Sequence, residues 1–144
     1  MSASSTDLHL RPARVDPGRV LRILVVDDDA NVARAMCRRL RGHEVQTAGS
    51  GAEAIEMCLR RDYDLILCDV MMPNLSGPAV HQRLGALRPE VVPRIVFVTG
   101  GIFTSEVTDF MARVANRVLQ KPVSREVLAE VIAAVEPVVR TGDR

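Results

Sequence analysis

Tryptophan is missing from this 144-residue chain, which holds only one tyrosine and three phenylalanines. An aromatic share of 3% excludes a core built on stacked rings and leaves the packing to aliphatic side chains. Charge of one sign is also scarce. Nineteen basic and 18 acidic residues leave +1, with neither the basic field that draws nucleic acid nor an acidic tail. Direct nucleic-acid binding is therefore not expected. No apolar run reaches the roughly 20 residues of a membrane span, and the first residues lack the apolar centre of a signal peptide. A cytoplasmic protein with no membrane partner is expected. The three cysteines, Cys37, Cys58 and Cys68, lack metal-ligand spacing and are expected as buried reduced thiols.

What is present is ample apolar material, 47% of the residues, with 26% charged, in a length that fits one domain. Residues 1–20 are rich in Ser, Arg, Pro and Asp without periodicity and read as a flexible leader, and 140–144 as a tail. Between them, over 21–139, short apolar runs alternate with helical patterns. Ile23 to Val26 is apolar at every position, the mark of a strand covered on both faces. Val32, Ala35, Met36 and Leu40 then recur at helical spacing up to Gly42. Glu44 to Ala48 supplies a second strand. Ser50 with Glu53 forms a capping box for a helix with Ala54, Ile55, Cys58 and Leu59 on one face.

Leu65 to Cys68 makes a third strand ending at Asp69, and Ser76 caps a helix from Gly77 to Leu87. Ile95 to Val98 is the fourth strand, ending at Thr99. A weaker helix runs from Ser105 to Val114, and Arg117 to Gln120 is a short fifth strand. Ser124 caps a last helix bearing Val127, Leu128, Val131, Ile132 and Val135, which Pro137 ends or bends. Five strand–helix alternations predict a parallel sheet with helices on both faces, because parallel strands need right-handed crossovers.

In such a sheet the functional crevice lies at the carboxyl ends of the strands. There the sequence places Asp27, Asp28 and Asp29 after the first strand, Asp69 after the third, Thr99 after the fourth and Lys121 after the fifth. An acid after a strand can simply cap the next helix, and Asp29 is open to that reading. Three adjacent acids are harder to explain so, since like charges repel without a cation. The set suits phosphoryl transfer to a carboxylate. Clustered carboxylates are hard ligands for Mg²⁺, an ammonium adds positive charge, and a hydroxyl donates to a phosphoryl oxygen. Asp69 stands alone in mid-sheet and is the expected nucleophile; the adjacent acids are better placed to hold the ion.

The segments LVVDDD (24–29), LILCDVMMPNLSG (65–77), VFVTGG (96–101) and LQKP (119–122) together resemble the receiver domain of bacterial two-component response regulators. The resemblance covers about Arg22 to Val138. It implies a flavodoxin-like doubly wound (βα)5 fold, a five-stranded parallel sheet of order 2-1-3-4-5. It implies Asp69 as phosphoacceptor, and Mg²⁺ held by Asp27, Asp28, Asp69 and the backbone carbonyl of Met71. Thr99 is then the switch hydroxyl and Lys121 the phosphate-pairing lysine, and the Lys121–Pro122 bond is cis. The implied partners are a histidine kinase or histidine phosphotransfer protein upstream and an unknown protein downstream, with a phosphorylation-linked homodimer as another output. Function is expected as that of a single-domain response regulator, a signalling module rather than an enzyme.

One departure stands out. The family's switch aromatic lies three residues before the lysine, where this chain has Val118, so switching must use backbone shifts or Phe103 or Phe110. The stretches NRVLQKP and Gly100 to Thr104 are similar to receivers attached to hybrid sensor kinases. Two rival readings differ in class. A haloacid-dehalogenase-like phosphatase would use Asp27 to Asp29 as its nucleophile motif. It needs an acid at a strand end after the lysine, yet Glu126, Glu130 and Glu136 fall in a helical stretch and Asp143 at the terminus. A non-phosphorylated interaction module is expected to have lost a site residue, whereas Asp27, Asp28, Asp69, Thr99 and Lys121 are all present.

Overall fold

The structure, a computed structural model, describes residues 19–101 and 104–138. Its elements are β1 (Arg22–Val26), α1 (Ala30–Arg39), β2 (Glu44–Ala48), α2 (Gly51–Arg60), β3 (Leu65–Asp69) and α3 (Gly77–Leu87). After a 3-10 helix (Pro89–Arg94) come β4 (Ile95–Thr99), α4 (Ser105–Arg113), β5 (Val118–Gln120) and α5 (Arg125–Ala133). The strands form one sheet of order β2-β1-β3-β4-β5, and each neighbouring pair is parallel. This is the expected doubly wound (βα)5 fold.

The apolar runs explain the layers. In β1 and β3 every residue is buried, and alternate side chains enter opposite cores. Leu24, Val26, Ile66, Cys68 and Phe97 pack on one face with Ala54, Ile55 and Cys58 of α2, Val80 and Leu84 of α3, and Val107 of α4. Ile23, Val25, Leu65, Leu67 and Val98 pack on the other with Ala33 and Met36 of α1 and Leu128 and Val131 of α5. Each fully buried Leu, Ile or Phe contributes roughly 1.5–3 kcal/mol, so the two aliphatic layers hold the sheet between them.

The caps fall where the sequence puts them, with small differences. Ser50 Oγ accepts from the Glu53 amide at 3.1 Å, but Glu53 Oε1 reaches back to Gly49 N (2.7 Å), one residue earlier than a capping box requires. Ser76 Oγ accepts from Ala79 N and Ser124 Oγ from Val127 N. Ala33, not Ala35, is the buried alanine of α1, because the face is centred on Met36 and Leu40. Leu59 and Leu87, at the last turns of α2 and α3, are exposed. Helix α5 ends at Ala133, ahead of Pro137, which neither ends nor bends it. Cys58 and Cys68 are buried, whereas Cys37 is half-buried; all three are free thiols. Of the expected leader, Arg19 and Val20 are described, and Arg19 Nη2 donates to the Ile132 carbonyl at 2.9 Å, tying that end to α5. The rest of it, Phe103, and the 140–144 tail lie outside the described residues.

Candidate functional site

Four strand ends meet at one edge of the sheet. The Asp27 amide continues the ladder to Ala48 O (3.1 Å), Val70 N to Val98 O (2.9 Å) and Lys121 N to Thr99 O (2.8 Å), so the backbones fix where each side chain emerges. Lys121 Nζ lies 3.0 Å from Asp27 Oδ2 and 3.2 Å from Asp69 Oδ2, across 94 and 52 residues of sequence. Carboxylate oxygens of Asp27, Asp28 and Asp69 all lie within 4.8 Å of one another. Asp27 and Asp69 are buried and Asp28 is exposed.

Asp29 does not join them. Its Oδ1 accepts from Asn31 N (2.9 Å) and Val32 N (3.3 Å) and caps α1. The three-acid run therefore divides into two cluster members and a cap. That division also removes the phosphatase motif, whose third aspartate would have to face the reaction; Glu126 and Glu130 stand exposed on α5. Asp27 Oδ1 accepts from the Asp29 amide at 2.9 Å, which orients its carboxylate. Met71 N donates to Asp69 Oδ1 at 3.2 Å, and the Met71 side chain is exposed.

The electrostatics follow from burial. Burial raises the Asp69 carboxyl above the usual carboxylate range; Lys121 opposes this and Asp27 reinforces it. Burial works against the Lys121 ammonium, but its hydrogen bonds and charge contacts with Asp27 and Asp69 outweigh it and hold the pKa above that of an ordinary lysine. Among the described residues three carboxylates gather around one ammonium, so negative charge is left over in the cluster. Hard oxygen donors at this spacing with uncompensated charge fit a small divalent cation such as Mg²⁺. Thr99 adds a second unmet demand. Its Oγ1 is buried with no hydrogen-bond partner among the described residues, an arrangement that burial penalises until an acceptor arrives.

The expected residues Asp27, Asp28, Asp69, Thr99 and Lys121 thus all fall at this edge, and Lys121–Pro122 is cis. Val118 lies beside Phe97 in the β4–β5 register. Phe97 meets Phe110 of α4 edge-on, with centroids 5.4 Å apart at 86°, and His81 of α3 is 5.3 Å from Phe110. The aromatic next to Thr99 is therefore on β4 itself, two residues away, and the register partner on β5 is small. The sequence reading weighed Phe110 but passed over Phe97; the rule that i and i+2 share a sheet face would have found it.

Residues 23–133 match the family described as the response regulator receiver domain. The transcriptional regulatory protein PrrA of Mycobacterium tuberculosis is 38% identical over 121 residues, covering 83% of this chain and 50% of PrrA. Transcription factor SKN7 of Saccharomyces cerevisiae is 30% identical over 112 residues, 76% of this chain and 18% of that protein. The chain spans about half the length, or less, of these curated relatives. A CheY-like response regulator receiver domain protein from Methanospirillum hungatei superposes with a TM-score of 0.68 at 27% identity, covering 79% of this chain and 91% of that one. Chemotaxis protein CheY4 of Vibrio cholerae does so at 0.69 and 26%, covering 82% and 100%.

Proposed function

This chain belongs to the response regulator receiver family, and from that premise we propose that Asp69 accepts a phosphoryl group from a phosphohistidine in a Mg²⁺-dependent reaction. The observation that carries this reading is the double contact of Lys121 Nζ with Asp27 and Asp69, beside Asp28, at three strand ends.

Asp27, Asp28, Asp69 and the Met71 carbonyl would hold the cation. Bound there, Mg²⁺ would neutralise charge on the carboxylates and on the incoming phosphoryl oxygens. An Asp69 oxygen attacks phosphorus; the P–O bond forms as the P–N bond of the donor breaks, and the imidazole keeps the electron pair and takes a proton. Lys121 stays close to the new phosphoryl group as its counter-charge. Thr99, with a buried hydroxyl that no acceptor among the described residues meets, turns it to a phosphoryl oxygen. The phosphorylated residue carries roughly −1.5 to −2 of charge. Differential contact of Thr99 and Lys121 with that charge then biases the surface of α4, β5 and α5 between two states.

Residues 21–139 form the receiver unit in this reading. The donor is a histidine kinase or a histidine phosphotransfer protein, and the working compartment is the cytoplasm. The output is a downstream protein or a phosphorylation-linked homodimer, and direct nucleic-acid contact by these residues is not part of it. Turnover is limited to the unit's own phosphorylation and dephosphorylation. The test is incubation with acetyl phosphate and Mg²⁺, followed by intact-mass measurement. Wild type gains one phosphoryl group and Asp69→Asn gains none; full labelling of Asp69→Asn overturns the acceptor assignment.

A further inference from the structure

Two glycines outside the charged cluster hold the acceptor segment between them. A methyl group at Gly77, the first residue of α3, would lie 2.8 Å from the Asp69 carbonyl oxygen, 2.9 Å from Val70 Cα and 3.3 Å from Phe97 Cε1. A methyl at Gly51, the first residue of α2, would lie 2.7 Å from the Leu75 carbonyl oxygen and 2.8 Å from Val80 Cγ2. Real side chains do not tolerate such distances to backbone, so both helices begin where only a hydrogen fits.

The segment so enclosed is 70–76, which follows Asp69 and includes Met71. Inside it, Asn74 adopts a left-handed φ of 69° and Leu75 N donates to Pro73 O at 2.7 Å. Gly77 N donates back to Val70 O at 2.9 Å, closing the segment on itself beside the Gly77 Cα. Neither glycine has the left-handed φ that would explain it by conformation alone, unlike Gly42 at 96°. Space is the reason for both.

We propose that Gly77 and Gly51 are positioning residues for phosphoryl transfer. They clamp the β3–α3 segment so that the Asp69 carboxylate stays in reach of both Lys121 and the cation-binding acids. This rests on the receiver reading and deepens it. Gly77 acts through the acceptor's own peptide. An added carbon there must push the Asp69 carbonyl or the start of α3 outward, and Asp69 moves relative to Asp27, with which it shares the Lys121 ammonium. Gly51 acts one step further away, through Leu75. Gly85 is the built-in contrast, because a methyl there meets only Val92 Cγ2 at 3.9 Å, an ordinary contact.

The test compares Gly77→Ala, Gly51→Ala and Gly85→Ala with wild type, all first checked for a cooperative thermal transition. Calorimetric titration with Mg²⁺ alone should show affinity weakened about tenfold in the two clamp variants. Labelling by acetyl phosphate at saturating Mg²⁺ should slow about ten- to a hundredfold, the penalty for a displacement of about 1 Å at a reacting group. Gly85→Ala should match wild type in both. A folded Gly77→Ala that binds Mg²⁺ and labels like wild type, however much its melting temperature falls, overturns the clamp. Should neither clamp variant fold, hydrogen exchange on wild type decides. A clamp set by packing leaves the Gly77 amide equally protected with and without Mg²⁺, and a change above about tenfold would mean that the ion orders the segment. Failure of wild type itself to bind Mg²⁺ or to label would count against the receiver reading, separately from the clamp.

Discussion

Lys121 and Asp69 stand 3.2 Å apart at the ends of β5 and β3, strands that are not neighbours because β4 lies between them. The lysine side chain spans the width of β4 to reach the carboxylate, passing over the loop after Thr99. Gly100 lies under that side chain, where an added Cβ would make an ordinary contact of 3.6 Å with Lys121 Cδ. One ammonium thus serves two buried carboxylates, and this shortage of positive charge underlies the first two predictions.

Burial outweighs the Lys121 contact at Asp69 and raises its carboxyl, so the folded state binds that proton more tightly than the unfolded state does. A raised carboxyl pKa makes stability fall as pH rises above about 4, the unfolded value. At neutral pH without divalent ions, Asp69→Asn should therefore melt higher than wild type. The difference should vanish near pH 4. A variant that melts lower at pH 7 would contradict this account of the cluster.

Divalent ions should act the other way. Mg²⁺ at about a hundred times its dissociation constant adds roughly 2.7 kcal/mol to a folded state that alone binds it. Chelation with EDTA should remove that gain from wild type. Asp28→Asn, altering an exposed member of the cluster, should keep its stability in EDTA within about 0.5 kcal/mol of wild type and lose most of the Mg²⁺ response. Thermal scans with and without the ion measure both, and an undiminished response would exclude Asp28 from the site.

Thr99→Val replaces a buried hydroxyl, without a partner among the described residues, by a methyl of the same shape. Removing an unsatisfied polar group should be neutral or stabilising, by up to about 1 kcal/mol. Chemical denaturation should show this. A loss of more than about 1 kcal/mol would show that the hydroxyl is already satisfied.

His43 offers a pH test remote from the cluster. Its Nδ1 accepts from the Leu21 amide at 3.0 Å, and burial, with the Arg19 charge, lowers its pKa. The unfolded chain then binds the proton more readily, so stability is complete above about 6.5 and declines as pH falls below it. His43→Asn supplies an uncharged acceptor for the same amide. Between pH 7.5 and 5.5 its stability should drop less than that of wild type, and parallel curves would refute the assignment.

Phe97 and Val118 are register partners on β4 and β5. Phe97→Val alone should cost about 2–4 kcal/mol through the cavity it leaves among Phe110 and its neighbours. Val118→Phe alone should cost about 1–3 kcal/mol by overpacking beside the intact ring. The double exchange, which moves the aromatic from β4 to β5, should recover at least about 1 kcal/mol of their sum. Additive losses in a double-mutant cycle would show that the two sites do not share one packing space.

Much of this could be read along the chain because the signals are local. Ser76 before Gly77–Leu87, and Glu44 to Ala48 between breakers, mark elements whose bounds the structure reproduces. The 3-10 helix at Pro89–Arg94 went unread, since two prolines and no periodicity leave no local pattern. Leu59 and Ala35 were placed by spacing, but which way a helix turns its apolar stripe depends on the neighbours it meets.

The order of residues alone determined the alternation of elements, the burial of β1 and β3 on both faces, and which polar residues end the strands. Propensity, capping and hydrophobic period act over a few residues, and these outcomes need nothing more. Only the tertiary structure decided that Asp29 caps a helix while Asp27 and Asp28 join Asp69. The same holds for the lone ammonium shared across β4, and for the two glycines that sit where no side chain fits. Those outcomes depend on distances between segments far apart in the chain, set by the close packing of two cores against one twisted sheet.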